Sequence, residues 1–405
     1  MKKTAFHLIL ILLTVCAVFP AVPSARAAQI RQDTRLLRIV SDMGSHEEYP
    51  ENSAEAVLLA AEQGADEVRL PVKMTADGAL ILSEDDNLER ICGADNTPIS
   101  ALKNEDIQKL FVRKGSGGAA AFTQDGVPTL TGTLAAANGK IRFLLDFDFS
   151  IADAVYEAVK SAGALDSCDF TLRASAKKAV SWVNTLEKPV SYLVYRKTNV
   201  IFTAFSILNA VGAENGVWLA SSNPYGVVWS KPVGNRLAGC SCAAVRVSRK
   251  ALSGKRADTP DYWENLISVG YNMLITDDVR VMAEYRAESL EALELLRDYT
   301  AQTESGFQLE DLRSPAYRKM KFAYKNAMNE AQRLCAKDFA GRAECENALY
   351  ALRTAVNDIE SNHEQLLNGE ADLRLTPGRI ITAVLTVAVF TALEVFIAKK
   401  RKKAK

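Results

Sequence analysis

Histidine, a side chain that commonly transfers protons in catalysis and binds metal ions, is rare in this sequence. There are only three histidines, and His7 lies in an N-terminal segment that we expect to be removed. Sites that need several imidazoles are therefore excluded. Cys240 and Cys242 flank a single serine and could bind a metal or pair with each other. With no histidine or further cysteine nearby, however, a zinc site is not predicted.

The composition is that of an ordinary globular protein. Of 405 residues, 48% are hydrophobic and 24% are charged, and there are only 12 Pro and 22 Gly, which excludes a disordered, collagen-like or coiled-coil chain. The 49 Lys+Arg balance the 49 Asp+Glu, so the net charge is zero. A nucleic-acid-binding protein needs a basic surplus to displace counterions, so no nucleic-acid partner is predicted.

The N-terminus carries a secretion pattern. Lys2 and Lys3 precede an apolar run over residues 8–19, and Ala25-Arg26-Ala27 follows with small residues at the cleavage positions. We predict that residues 1–28 are a signal peptide; an uncleaved anchor helix is the alternative.

The C-terminus carries a membrane-anchor pattern. The apolar run over residues 380–398 is long enough, at 1.5 Å per residue, to cross a hydrocarbon core of ~30 Å. Basic residues follow at 399–405, and such residues stay on the cytoplasmic side. We therefore predict a linker over 368–379, a transmembrane helix over 380–398 and a cytoplasmic basic tail. The chain would be a single-pass cell-membrane protein with its main domain outside the cytoplasm; a buried core helix is the alternative.

The cysteine count suits that compartment. Of seven cysteines, Cys16 lies in the predicted signal peptide, which leaves an even number that permits disulfides. Cys335 and Cys345 fall in one helical region, where a disulfide could staple a helical hairpin.

Between about residues 36 and 287, β-rich runs alternate with amphipathic segments. Nine strands are predicted, at 36–41, 67–74, 79–82, 141–147, 170–172, 191–195, 217–220, 243–247 and 273–276. Helices are predicted between most of them, at 53–63, 151–161, 176–186, 200–211 and 262–269. Because helices separate the strands, the strands should pair in parallel with the helices outside.

This pattern predicts an α/β fold, a (β/α)8 TIM-barrel-like domain over residues 29–290, since about 250 residues is the usual size of such a barrel. Nine strands exceed eight, so either one assignment is wrong or an edge hairpin is present. A doubly wound sheet is the alternative, but no glycine-rich phosphate loop opens its first helix. From Met282 the pattern is helical only, and we assign residues 291–367 to an α-helical spacer between the barrel and the membrane.

Short motifs along the barrel are similar, in the same order, to those of glycerophosphodiester phosphodiesterases. They are Asp42-Met43-Gly44, Pro50-Glu51-Asn52-Ser53, Gly64-Ala65-Asp66, Thr75-Ala76-Asp77-Gly78, Glu84-Asp85, Val127-Pro128-Thr129-Leu130 and Leu274-Ile275-Thr276-Asp277. The resemblance covers nearly the whole barrel and implies a (β/α)8 fold and hydrolysis of phosphoric diesters in lipid metabolism. In that family two histidines transfer protons, carboxylates hold a divalent cation and an arginine binds the phosphate.

The chain departs from the family at nearly every reacting position. The family's His-Arg-Gly, Glu-x-Asp and His-Asp correspond here to the degenerate positions Asp42 and Met43, Arg69 and Pro71, and Glu84 and Asp85. A later carboxylate of the family could survive as Asp146. The resemblance therefore predicts that neither the catalytic set nor the metal-ligand set is intact.

Arg69 is worse for metal binding than a missing ligand. A fixed cation about 4 Å from a dication is opposed by roughly 8 kcal/mol at an effective dielectric of 20. We expect Arg69 to pair instead with Asp42, Glu84 or Asp85 and to close the pocket with salt bridges. His46 shares a loop with Asp42 but is offset by four residues, so we expect it in solvent.

Three hypotheses follow. The first is a pseudoenzyme: a catalytically inactive barrel, without a cofactor, that binds or scaffolds a protein or a glycerophosphodiester or lipid-headgroup ligand at the membrane. The second is a phosphoric diester hydrolase whose rearranged acidic cluster holds Ca²⁺ or Mg²⁺, the cations that oxygen-rich sites prefer. Its ligands would be Asp42, Glu84, Asp85, Asp146 and Asp148. The third is a spacer or assembly partner acting through the helical segment and the transmembrane helix.

Overall fold

The computed structural model of the chain describes residues 36–362, except 138, 199, 212–215, 221–226, 238–241, 248–257 and 308–314. The chain divides into two compact units, Met1–Ala287 and Glu288–Lys405. The predicted signal peptide, linker, transmembrane helix and basic tail lie outside the described residues. Of the helices within the described ranges, none combines the length and the apolar character needed to cross a membrane.

The described part of the first unit contains eleven strands. They are β1 (Arg38–Asp42), β2 (Glu67–Met74), β3 (Leu80–Leu82), β4 (Phe111–Arg113), β5 (Phe122–Gly126), β6 (Arg142–Phe147), β7 (Cys168–Leu172), β8 (Ser191–Lys197), β9 (Gly216–Ala220), β10 (Cys242–Arg246) and β11 (Met273–Thr276). Eight of them pair in parallel in the order β1-β2-β6-β7-β8-β9-β10-β11, and β11 pairs with β1. The ring is therefore closed, and the predicted (β/α)8 barrel is confirmed.

Helices stand between most of the barrel strands. Those of the first unit are α1 (Ala54–Glu62), α2 (Glu89–Cys92), α3 (Asn104–Ile107), α4 (Leu130–Ala137), α5 (Ala152–Ser161), α6 (Ala176–Val183), α7 (Ile201–Val211), α8 (Lys231–Leu237) and α9 (Pro260–Val269). The first begins after Ser53, whose Oγ accepts a hydrogen bond from the Ala56 N–H and so satisfies one of the unpaired donors at the start of the helix. Another helix, α10 (Val279–Gly306), follows β11.

The predicted strand at 79–82 is the extra one, and it forms an edge hairpin with β2. β3 pairs antiparallel with β2, from Val72 opposite Leu82 to Met74 opposite Leu80, so it adds to the barrel wall without entering the ring. A second hairpin, β4–β5, was not predicted. It lies in the segment after β3, whose own apolar cluster includes Ile91, Ile107 and Val112.

The barrel interior is layered. At the N-terminal ends of four adjacent strands, the floor cluster consists of Arg38, Glu67, Arg142 and Asp169. Above it is an apolar layer that contains Val40, Leu144, Leu193, Ala244 and Ile275. Charged groups return at the C-terminal ends of the strands, where active sites of such barrels form.

The described part of the second unit is helical. After the end of α10 come α11 (Pro315–Cys335) and α12 (Arg342–Ser361). Their buried faces share one core that includes Leu296, Ala331 and Leu352. Cys335 and Cys345 are thiols, so the disulfide that was possible between them is not formed in this structure. Cys242 is a buried thiol, while its predicted partner Cys240 lies outside the described residues.

Candidate functional site

The candidate site is a group of six ionised side chains, the mouth cluster, at the C-terminal ends of the barrel strands. Its members are Asp42, Arg69, Glu84, Asp146, Arg173 and Arg246. Asp42 ends β1, Arg246 ends β10, and Arg173 directly follows β7. Because side chains of a strand alternate between its two faces, a residue two positions beyond a lumen-facing one also faces the lumen. Asp42 thus lies above Val40 and Asp146 above Leu144.

Arg69 is the centre of the mouth cluster. Its Nη1 donates to Asp42 Oδ1 at 2.7 Å, and its Nη2 donates to Glu84 Oε2 at 2.7 Å. Its Nε and Nη2 both donate to Asp146 Oδ2, at 2.9 and 2.7 Å. The Arg69 side chain is 3% exposed. The expected pairing of Arg69 is therefore seen with Asp42 and Glu84, and Asp146 joins them.

Two further arginines complete the mouth cluster, and sequence reasoning missed both. Arg173 holds Asp146 through Nε to Oδ1 at 2.7 Å and Nη2 to Oδ2 at 2.8 Å. Arg246 donates through Nη1 to Glu84 Oε1 at 2.8 Å, and its Nε lies 2.5 Å from Asp42 Oδ2 as an ion pair that is not aligned as a hydrogen bond. Every carboxylate of the mouth cluster thus faces two guanidinium groups, and the cluster is electrically neutral.

Two aromatic rings hold these guanidiniums in place. Arg173 stacks 4.1 Å from the centroid of Tyr195, and Arg69 lies 5.7 Å from that of Trp218. The two rings meet edge to face with their centroids 5.2 Å apart. Cation–π contacts of this kind add to the ion pairs and limit the orientations that the guanidiniums can adopt.

The ion pairs keep Glu84 and Asp146 charged. Burial alone would raise the pKa of Glu84, but Arg69 and Arg246 lower it to about 2. Burial likewise opposes ionisation of Asp146, and Arg69 and Arg173 nevertheless hold its pKa below the ordinary value. The pKa of Arg69 is raised because the attraction of Asp42, Asp146 and Glu84 outweighs its desolvation. At neutral pH, Glu84 and Asp146 are therefore proton acceptors already engaged by arginines and cannot serve as acids.

The turn after β1 depends on an unusual backbone. Met43 has φ +65° and is buried. Gly44 has φ +84°, and a Cβ there would lie 2.7 Å from the backbone carbon of Ala56. The chain can therefore pass close to α1 only because residue 44 is glycine.

The remaining predicted carboxylates make their hydrogen bonds with residues outside the mouth cluster. Asp85 accepts from Arg90 Nε at 2.6 Å, and the same guanidinium binds Glu51 through two bonds of 2.7 Å. Asp148 caps a 3₁₀ turn by accepting from the Ser150 N–H at 2.9 Å. The structure therefore does not bring together the five carboxylates of the alternative acidic cluster.

The structure also places Pro71 and His46, two further residues considered in the sequence analysis. Pro71 lies within β2 opposite Asp146 and supplies no charged group. The ring of His46 is half-buried rather than in open solvent, and its Nδ1 lies 2.8 Å from the carbonyl oxygen of Gly44.

The donor set does not fit a divalent cation. A cation needs several carboxylate oxygens pointing to one place, but here that place holds the guanidinium of Arg69, to which Asp42 and Asp146 point. Within the described ranges, no three histidine, cysteine, aspartate or glutamate side chains are grouped in a way that could hold a metal ion.

The floor cluster is a second ionic network at the opposite end of the lumen. Arg38 lies 3.1 Å from Glu67 and 3.3 Å from Asp169, and Arg142 lies 2.9 Å from Asp169 and 3.5 Å from Glu67. Burial raises the pKa of Glu67, Arg38 opposes this, and the pKa reaches about 7. A charged side chain at the first or second position of each of these four strands, followed directly by an apolar residue, was the sequence signal that could have revealed this network.

Comparison with known proteins gives matches to glycerophosphodiester phosphodiesterases. Residues 43–202 match the Glycerophosphoryl diester phosphodiesterase family. A 112-residue stretch is 30% identical to human Glycerophosphodiester phosphodiesterase 1 and 29% identical to the rat protein of that name. In both cases the match covers 28% of this chain and 34% of the relative, so the chain spans about a third of the length of these curated relatives.

The fold also matches a solved structure. A phosphodiesterase from Oleispira antarctica, in complex with the product sn-glycerol-3-phosphate, superposes with a TM-score of 0.50 at 17% sequence identity. The match covers 65% of this chain and 99% of that chain. At this identity the likeness shows the shared barrel fold.

Proposed function

We propose that the barrel, which resembles the glycerophosphodiester phosphodiesterase family in sequence over residues 43–202, is a catalytically inactive member of that family used as a binding or scaffold module. The observation that carries the proposal is the guanidinium of Arg69. It donates to Asp42, Glu84 and Asp146 at 2.7–2.9 Å, where the family's mechanism requires a divalent cation.

The proton-transfer groups support the same proposal. The positions of the two family histidines carry Asp42 and Glu84, both engaged by arginines, and the pKa of Glu84 is about 2. Each misplaced general acid or base typically costs about 10²–10⁴ in rate, and the two positions fail together. We therefore expect no hydrolysis at an enzymatic rate.

The electrostatics of the mouth cluster point the same way. A dication placed about 4 Å from the Arg69 guanidinium would be opposed by roughly 8 kcal/mol at an effective dielectric of 20. It would also have to separate Asp42 and Asp146 from their arginine partners. Neither Ca²⁺ nor Mg²⁺ is therefore part of the proposed function.

The cellular setting of this module is proposed from the sequence. The secretion pattern over residues 1–28 and the apolar run over 380–398 with its basic stop support an extracytoplasmic barrel on a single-pass anchor. The proposed partners are the membrane, through that helix, and a protein or a glycerophosphodiester or lipid-headgroup ligand at the barrel. Cell fractionation and protease protection of the C-terminus test this setting, and release of the intact chain into the soluble fraction would contradict it.

A turnover assay tests the proposed inactivity. Purified protein is incubated with glycerophosphocholine and with a chromogenic phosphodiester, in Mg²⁺, in Ca²⁺ and in EDTA, beside an active member of the family. We expect turnover no faster than in buffer for this chain in every condition. Turnover that EDTA abolishes and that the Glu84→Ala variant loses would refute the proposal and assign the chemistry to the mouth cluster.

A further inference from the structure

Glu84 differs from the other two carboxylates of the mouth cluster. The side chains of Asp42 and Asp146 are 1% and 2% exposed, whereas that of Glu84 is 28% exposed. Asp42 and Asp146 belong to strands of the barrel ring, but Glu84 lies beyond the short edge strand β3. It is therefore the carboxylate that can leave the cluster most easily.

The two oxygens of Glu84 are bound as those of a small oxyanion would be. Oε2 accepts from Arg69 Nη2 at 2.7 Å, and Oε1 accepts from Arg246 Nη1 at 2.8 Å. Two guanidiniums from non-adjacent strands, β2 and β10, thus converge on one carboxylate. Convergent arginine donors of this kind also suit phosphate oxygens, since charge-assisted bonds from guanidinium are among the strongest that such oxygens make.

The two donors would stay in position without Glu84. Arg69 would keep its bonds to Asp42 and Asp146, and Arg246 would keep its ion pair with Asp42. The charge of the remaining groups would be +1, because three arginines would face two aspartates. This vacated position would be open to solvent, since the side chains of Glu84 and Arg246 are 28% and 36% exposed.

Only rotation of one side chain is needed to vacate the position. The backbone N–H of Ser83 donates to Pro71 O at 3.0 Å, and the Ser83 Oγ donates to the backbone carbonyl oxygen of Asp85 at 3.0 Å. The backbone on both sides of Glu84 is therefore fixed while its side chain has an exposed edge along which to move.

We propose that Arg69 and Arg246 form an oxyanion-binding site that Glu84 occupies as a tethered internal ligand, and that an anion of the phosphate class replaces it. The site needs no metal ion. This inference rests on the proposed binding function and names the ligand chemistry of that same site.

Phosphate titration of the full chain tests the inference. Inorganic phosphate is titrated calorimetrically, in EDTA, into the wild type, Glu84→Gln and the matched control Asp86→Asn. The control removes the same charge two residues away, from an exposed side chain paired with Lys73 rather than with an arginine of the mouth cluster. We expect Glu84→Gln to bind phosphate at least about tenfold more tightly than the wild type, since the internal competitor is gone, and Asp86→Asn to bind like the wild type.

Two more variants make the result specific. Glu84→Asp keeps the charge, but its side chain is too short to bridge both guanidiniums, so the affinity of this variant for phosphate should also rise. It replaces Glu84→Gln in the test if Glu84→Gln is poorly folded. Adding Arg246→Gln to Glu84→Gln should abolish the gain. Phosphate affinity that is unchanged in both Glu84 variants, or that survives the loss of Arg246, would overturn the inference.

A vesicle arm distinguishes the source of the anion. Binding of Glu84→Gln to vesicles that contain phosphatidic acid, beyond its binding to phosphatidylcholine vesicles, would assign the site to a lipid headgroup. Phosphate binding without vesicle binding would assign it to a soluble anion, and both results support the site. Hydrolysis of diesters by the wild type would refute the proposed function but not this inference, because phosphate binding in EDTA is measured without turnover.

Discussion

Arg69→Met tests whether the barrel depends on the mouth cluster for its stability. The substitution keeps an unbranched apolar stem but removes a guanidinium that is 3% exposed and bonded to three carboxylates. Removing one partner of a buried ion pair costs about 3–5 kcal/mol, because the other partner stays buried and charged. Asp42 and Asp146 each retain one arginine, Arg246 and Arg173, so we expect the lower end, about 3 kcal/mol.

The expected loss can be measured by thermal and denaturant unfolding. For a domain of this size, ~3 kcal/mol corresponds to a fall in Tm of roughly 6–12 °C. Arg69→Lys should lie between the wild type and Arg69→Met, since it keeps the charge but loses the planar fork.

Arg333→Met provides the matched control. Arg333 is 49% exposed and pairs with Glu330 on the same helix, so its loss should cost less than about 1 kcal/mol. If Arg69→Met were as mild as this control, the mouth cluster would not be the buried ionic network that we infer.

Three further outcomes are expected. The pKa of Glu67 is about 7 in the folded protein, above its ordinary value of 4.5, so ionisation of Glu67 lowers the stability of the wild type as the pH rises from 4.5 to 8. The stability of Glu67→Gln relative to the wild type should therefore increase over this range, by up to about 3 kcal/mol. A difference that does not change with pH would contradict this. Gly44→Ala should cost more than about 1 kcal/mol in denaturant unfolding, since residue 44 has φ +84° and its Cβ would meet Ala56; unchanged stability would show that the turn relaxes. Leu352→Ala, at a fully buried position of α12, should cost about 2–5 kcal/mol in the unfolding of the helical unit, against less than about 0.5 kcal/mol for the exposed Tyr350→Ala; equal effects would refute the buried core.

The barrel was predictable because its strands are recognisable one at a time. Met273, Leu274 and Ile275, for example, form a continuous apolar and buried run, as is typical of strands in a parallel sheet. The hairpin β4–β5 was missed because Phe122–Gly126 has exposed and turn-forming residues where a strand pattern would have alternating apolar ones. The strands β4 and β5 pair with each other and not with the barrel ring, and the hydrophobic pattern of the sequence does not indicate this pairing.

The centre of the site was predictable and its outer part was not. The family motifs singled out Asp42, Arg69 and Glu84, and opposite charges in a closed space were expected to pair. Arg173 and Arg246 belong to strands that carry no such motif, and their nearness to the others depends on the closure of the ring. Both nevertheless sit at the C-terminal end of a strand, as Asp42 does, and that position was a usable signal.

The charges at the two ends of the lumen also encode strand order. Along the neighbouring strands β1, β2, β6 and β7, the side chains of the floor cluster are positive, negative, positive and negative in turn. Those of the mouth cluster on the same strands are negative, positive, negative and positive. Sliding β2 by two residues would set Arg69 beside Arg142, two like charges away from water. We expect this alternation of charge to disfavour misaligned or exchanged strands during folding. An interior made only of aliphatic side chains could not distinguish the correct strand order from the wrong one in this way.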